Sequence, residues 1–100
     1  MSFRIAPSKR FLKKVKKCKR SGRTQILECL GEVIQLLSVH DNRSLYVLAT
    51  RWHDHALKGD KIGIRELHLG MDDLLLYSID GETSTIELQD IVTHEELRKQ

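Results

Sequence analysis

Residues 62–88 read IGIRELHLGMDDLLLYSIDGETSTIEL, and here the hydrophobic period becomes two. Ile62-Gly63-Ile64-Arg65-Glu66-Leu67-His68-Leu69 alternates like a half-buried strand. Gly70 to Asp73 punctuates as a turn. Leu74-Leu75-Leu76-Tyr77-Ser78-Ile79 is almost continuously apolar, the pattern of a central strand covered on both faces. Asp80-Gly81 is a hairpin-turn pair, and Thr83 to Leu88 returns as a third strand. Three strands with such short links form an antiparallel meander.

Before this stretch the period is helical. Ile26, Leu27, Leu30, Val33, Ile34 and Leu37 form an apolar stripe with Thr24 as its expected cap, while Glu28, Glu32 and Gln35 face away. Phe11, Leu12, Val15 and Cys18 make an earlier helix face, opened by Ser8 and closed by Gly22. Phe3-Arg4-Ile5 alternates as a short strand. His40 to Arg43 reads as a loop, Ser44 to Arg51 fits a helix or an extended segment, and Trp52 to Asp60 reads as irregular. After the strands, Thr93 caps a short terminal helix. The expectation is an α+β fold: a short strand and a two-helix hairpin packed on one face of a small antiparallel sheet, then a short C-terminal helix. One domain is expected over residues 1–100, a length that leaves no room for a second core.

Composition narrows the class. With 40% hydrophobic and 31% charged residues the chain is globular, neither collagen-like nor disordered. No apolar run reaches the ~18 residues of a membrane span, and the first residues lack a signal-peptide core, so a cytoplasmic protein with no membrane partner is expected. Cys18 and Cys29 fit neither a redox pair nor a zinc knuckle, and read as reduced structural thiols.

Charge is segregated. Ten of the seventeen Lys and Arg residues fall in residues 1–23, and no acid appears before Glu28. The remainder carries seven bases against all fourteen acids. A basic helix of this kind is an electrostatic footprint for a phosphate backbone, with an acidic protein as the other candidate partner.

Five histidines are present, and His53, His55, His68 and His94 fall in loops or near strand ends, with Asp54, Asp72 and Asp73 close by in sequence. Three readings apply. A metal site would use these residue types, but there is no HExxH and no paired CxxC, so no metal or cofactor is expected. Packing or surface roles suit His40 and His53. The third reading is acid–base chemistry at a phosphodiester, where one group takes the ribose 2′-hydroxyl proton and another protonates the leaving 5′-oxygen. Trp52 is expected at a core edge and Tyr77 in the core.

Four segments in order resemble a known family: Asp54-His55-Ala56-Leu57-Lys58-Gly59, Gly63-Ile64-Arg65-Glu66-Leu67-His68-Leu69, Leu74-Leu75-Leu76-Tyr77, and Thr93-His94-Glu95-Glu96-Leu97. Together they look like the YafQ branch of the RelE/ParE toxin superfamily. The match is dense over residues 54–97, whereas residues 1–53 match only in pattern. The resemblance implies a toxin of a type II toxin–antitoxin pair that cuts mRNA on the ribosome, by attack of the 2′-hydroxyl and without a metal. Its partners would be a cognate antitoxin, the ribosome and mRNA, with DNA reached only through the antitoxin. Carried over by position, His94 is the first acid/base candidate, with His68, Asp72 and His55 completing the catalytic set. Arg65, on the opposite strand face from His68, is expected to be structural or to meet the antitoxin. Lys13, Lys14, Lys16 and Lys17 would hold RNA through phosphates, and Arg98 would stand where the family often has a stacking aromatic. Asp73 also replaces a frequent aromatic, and its carboxylate beside Asp72 would repel a phosphate. These two departures motivate the alternative of a catalytically degenerate binding module. A ParE-like gyrase inhibitor is a weaker alternative, because it would leave the histidines without a purpose.

Overall fold

The first helix begins where the sequence places its cap. In the computed structural model, which describes residues 2–99, the Ser8 hydroxyl accepts from Phe11 N at 3.1 Å. Helix α1 (Lys9–Arg20) follows strand β1 (Arg4–Pro7). It buries Phe11 and Cys18 and leaves most of its lysines in solvent. Gly22, at φ +69°, turns the chain after α1, a conformation that costs a glycine least. Helix α2 (Thr24–Val39) buries Ile26, Leu30, Val33 and Leu37, while Glu28, Glu32 and Gln35 are exposed as expected. Thr24 is not the cap of α2 but its first residue. Arg23 takes the cap position without a side-chain bond, because the tight reversal at Gly22 brings Arg23 N onto Cys18 O.

The ambiguous segment is a third helix, α3 (Asn42–Arg51). Asp41 sets its start by accepting from Ser44 N at 2.8 Å, so the expected loop at 40–43 is shorter than its composition suggested. Strand β2 is only His55–Ala56. A 3-10 turn over Gly59–Lys61 and Gly63 at φ +92° shorten the next expected strand to β3 (Arg65–His68), leaving Ile62 81% exposed. Strand β4 (Leu74–Asp80) is central and covered on both faces. The expected tight Asp80-Gly81 hairpin is a four-residue loop instead. Asp80 Oδ1 accepts from Glu82 N and Thr83 N, and strand β5 (Thr85–Val92) starts later and runs further than expected. Helix α4 (His94–Lys99) opens with a capping box: Thr93 Oγ1 accepts from Glu96 N, and the Glu96 carboxylate accepts from Thr93 N. No helix among the described residues is long and apolar enough to cross a membrane.

The sheet has five strands in the order β1-β5-β4-β3-β2. The meander is antiparallel, but β1 joins β5 in parallel, so the sheet is mixed. A bulge on β5 sets Leu76 opposite Asp90 and Tyr77 opposite Leu88, leaving Gln89 as the extra residue. It inverts the alternation, so Ile91 joins Ile86 and Leu88 in the core while Val92 meets the other face. The main core lies between the helices and Leu67, Leu75, Tyr77, Ile86, Leu88 and Ile91. A smaller cluster of Leu74, Leu76 and Val92, flanked by Leu57, Ile64 and Leu97, covers the opposite face.

Beyond Pro7 the strand β1 no longer covers β5, and α1 takes over. Ser8 N donates to Leu88 O, Ser8 Oγ to Gln89 O, and Lys14 Nζ to Ile91 O at 2.7 Å. These bonds satisfy carbonyls that would otherwise form an open sheet edge.

Candidate active site

Alternation along β3 puts Glu66 and His68 on the same face, and the β2–β3 register puts His55 opposite Glu66. His68 also aligns with Leu74, which aligns with Val92, so the chain delivers His94 to the same end of the sheet. His68 N donates to Trp52 O at 2.8 Å, which draws the loop carrying His53 alongside. Three imidazoles thus gather around His68. Its ring centre is 5.4 Å from that of His53, 6.3 Å from His55 and 5.5 Å from His94.

Two carboxylates organise the group. Glu66 is buried, and its Oε1 lies 3.4 Å from His55 Nε2 and 3.5 Å from His68 Nε2. His55 Nδ1 lies 2.7 Å from the His53 carbonyl, which accepts only from a protonated nitrogen. Asp72 Oδ1 lies 2.7 Å from His94 Nδ1 and accepts from His94 N at 3.1 Å. These bonds hold the Asp72 carboxyl below its usual range. An ionised Asp72 accepts from His94 Nδ1–H, so the lone pair or second proton of His94 sits on Nε2. Burial is the first cause that lowers the His68 pKa. Glu66 opposes it, and the three neighbouring histidines add to it.

The expected catalytic residues His55, His68, Asp72 and His94 therefore lie together. Glu66, not singled out from sequence, and His53, read there as a packing or surface residue, lie with them. The two-residue spacing of Glu66 from His68 put both on one strand face, but not which groups that face meets. The loop position of His53 was visible, but its approach to His68 depends on a backbone at φ +54°. His40 is a packing residue, its ring 4.2 Å from that of Phe3. Trp52 is at the core edge and Tyr77 in the core, as expected.

Arg65 is structural. Its guanidinium donates to Asp54 Oδ2 at 2.7 Å and to the Tyr77 hydroxyl at 3.3 Å, and Tyr77 in turn donates to Asp54. Burial, then the bond to Asp54, push the Tyr77 hydroxyl far above its usual range. The basic helix is not uniform. Lys13, Lys16 and Lys17 are exposed, as is Arg98 on α4. Lys14 is not a free phosphate ligand, because its ammonium lies 3.1 Å from buried Asp90 and 3.9 Å from Glu96 while bonding Ile91 O. Asp73 also departs from expectation. Its carboxylate is 2.6 Å from the Arg23 guanidinium, so it is neutralised on the helical side rather than facing the histidines.

A basic helix, a mixed sheet and a histidine cluster at the sheet end define a RelE/ParE-like toxin fold. The chain superposes on the YoeB/ParE toxin from Agrobacterium tumefaciens with a TM-score of 0.72 at 15% identity, covering 92% of this chain and 99% of that one. The family model for YafQ, the bacterial toxin of type II toxin–antitoxin systems, matches residues 3–99, and the chain belongs to this family. It is similar to a metal-bound toxin from Helicobacter pylori at 34% identity (TM-score 0.78, covering 97% of this chain and 99% of that one). It is also similar to a chain of the E. coli DinJ–YafQ toxin–antitoxin complex at 26% identity (TM-score 0.74, covering 97% and 98%). No curated protein matched the chain. Among the described residues of this chain, no group of three or more His, Cys, Asp or Glu is arranged to hold a metal ion.

Proposed function

We propose that this toxin is a ribosome-dependent endoribonuclease that cuts mRNA by attack of a 2′-hydroxyl on the adjacent phosphate. The observation that most supports this is the convergence of His55, His68 and His94 with Glu66 and Asp72 at one sheet end. His68, kept neutral by burial, suits the group that takes the 2′-hydroxyl proton. His94, oriented by Asp72 with Nε2 outward, suits the group that gives a proton to the leaving 5′-oxygen. His55 steadies the phosphate between them. The products are a 2′,3′-cyclic phosphate and a free 5′-hydroxyl.

Lys13, Lys16, Lys17 and Arg98 hold RNA phosphates on this reading, while Lys14 braces the sheet edge. The E. coli relative is seen in complex with DinJ, and we take this chain to be held inactive in the cytoplasm by an antitoxin of its own. The degenerate-module alternative loses one support, because Asp73 is paired with Arg23.

Primer extension on a translated mRNA, after a pulse of protein, tests the proposal. Cuts within the reading frame should disappear when translation is blocked. They should fall by ~10²–10⁴ in His94→Ala, since a general acid–base group contributes about that much. His94 is exposed, so the variant should stay folded. Undiminished cutting by folded His94→Ala would refute the assignment.

A further inference from the structure

Beside His68, α3 ends against the loop that links β3 and β4. The two border an open groove of about 430 Å³ lined by Arg51, Trp52, His53, His68 and Met71. Its size lies in the ~300–1,000 Å³ range of small-molecule sites. Of its lining, only His68 has a part in the proton-transfer scheme.

We propose that this groove seats an RNA base next to the scissile phosphate, with Met71 against the base face and Arg51 on its edge or its phosphate. Three observations carry this, and the inference rests on the nuclease reading above. Met71 is 99% exposed, although Leu69 N and Gly70 N both donate to Asp73 O and hold its loop in a turn. An apolar side chain held in solvent at the rim of a groove offers a surface for a flat, apolar ligand face. Arg51 is exposed, has no carboxylate partner among the described residues, and stacks its guanidinium 5.6 Å from the centre of the Trp52 ring. That stacking orients a planar donor fork suited to base carbonyls and phosphates. Trp52 itself is only 6% exposed, yet its indole N–H lacks an acceptor among the described residues. Buried indoles normally find one, and Trp52 is part of the groove's lining, where a nucleotide would bring carbonyl and sugar oxygens.

The test compares wild type, Met71→Ala, Met71→Phe and Arg51→Gln in a translating extract, with His94→Ala as the blank. Cut positions and rates on one mRNA are read by primer extension over a range of ribosome-bound message. Met71→Ala and Arg51→Gln should each raise KM roughly 5- to 10-fold and redistribute the cut codons, in line with the loss of one base contact. Met71→Phe should restore efficiency, because a flat ring stacks on a base at least as well. Both changes are at exposed side chains, and thermal melts should be unmoved. Wild-type KM and codon pattern in both variants, beside an inactive His94→Ala, would overturn the groove and leave the nuclease reading intact. An absence of cuts by the wild type would overturn both.

Discussion

His68 joins three properties: a half-buried ring, a buried carboxylate 3.5 Å away, and three imidazoles around it. Because burial outweighs Glu66, the ring gives up its proton more readily than an ordinary histidine. The folded pKa therefore lies below the unfolded value of ~6.5. As pH falls below that value, the unfolded chain takes up a proton before the folded one does. This residue's effect on stability is absent above the window and grows as pH drops towards the folded value. His68→Asn should reduce the loss of stability between pH 7 and pH 5, measured as the urea midpoint at each pH. In the wild type, the acidic limb of cleavage against pH should lie below ~6.5, because the base must be neutral. A limb above that value would remove His68 from the base role. The residue types of this cluster were visible in the sequence. Glu66's part in it was not, because a carboxylate on an alternating strand looks the same whether it faces solvent or two imidazoles.

At the level of elements, Asp54 ties the loop after α3 to β3 and β4. Its carboxylate is held by Arg65 of β3 and Tyr77 of β4, while His53 and His55 flank it and face the site. The tie therefore positions two histidines without touching substrate. Tyr77→Phe should cost ~1–2 kcal/mol, the scale of one buried hydrogen bond whose partner retains another. Asp54→Ala should cost more, ~3 kcal/mol, because it strips the carboxylate from a guanidinium and a buried hydroxyl together. Urea unfolding would measure both, and hydrogen exchange at residues 53–55 should rise most in Asp54→Ala. The β4 strand was legible from its apolar run, and α2 from its stripe. Strand β2 and the helix α3 were not. A two-residue strand exists only because a partner is present, and α3 depends on its Asp41 cap and on Leu48 finding the core.

Over the whole molecule, charge is divided between a basic helix and an acidic body. The division is not a simple solvated stripe, since Lys14 and Arg23 are spent on Asp90, Glu96 and Asp73. Lys13, Lys16 and Lys17 remain exposed, and on the proposed reading they meet a phosphate backbone. Ribosome binding should therefore weaken with salt, losing roughly 0.7–0.9 in log–log slope for each phosphate contact removed. Replacing these three lysines with glutamine should flatten the slope by about 2 and leave the melting temperature nearly unchanged, read by ribosome co-sedimentation at several salt concentrations. An unchanged slope would place RNA on another face.

Periodicity and capping residues were enough to set the class of fold, the central strand, the long helix and the set of histidines. Those signals act over a few residues and survive without knowledge of what packs against them. The parallel pairing of β1 with β5, the bulge at Gln89, the approach of His53 and the capture of Lys14 and Asp73 came from the folded arrangement. Each joins groups far apart in the chain or turns on a single backbone angle. Strand order, register and ion-pair choice depend on which distant surfaces meet, and no local pattern encodes that meeting.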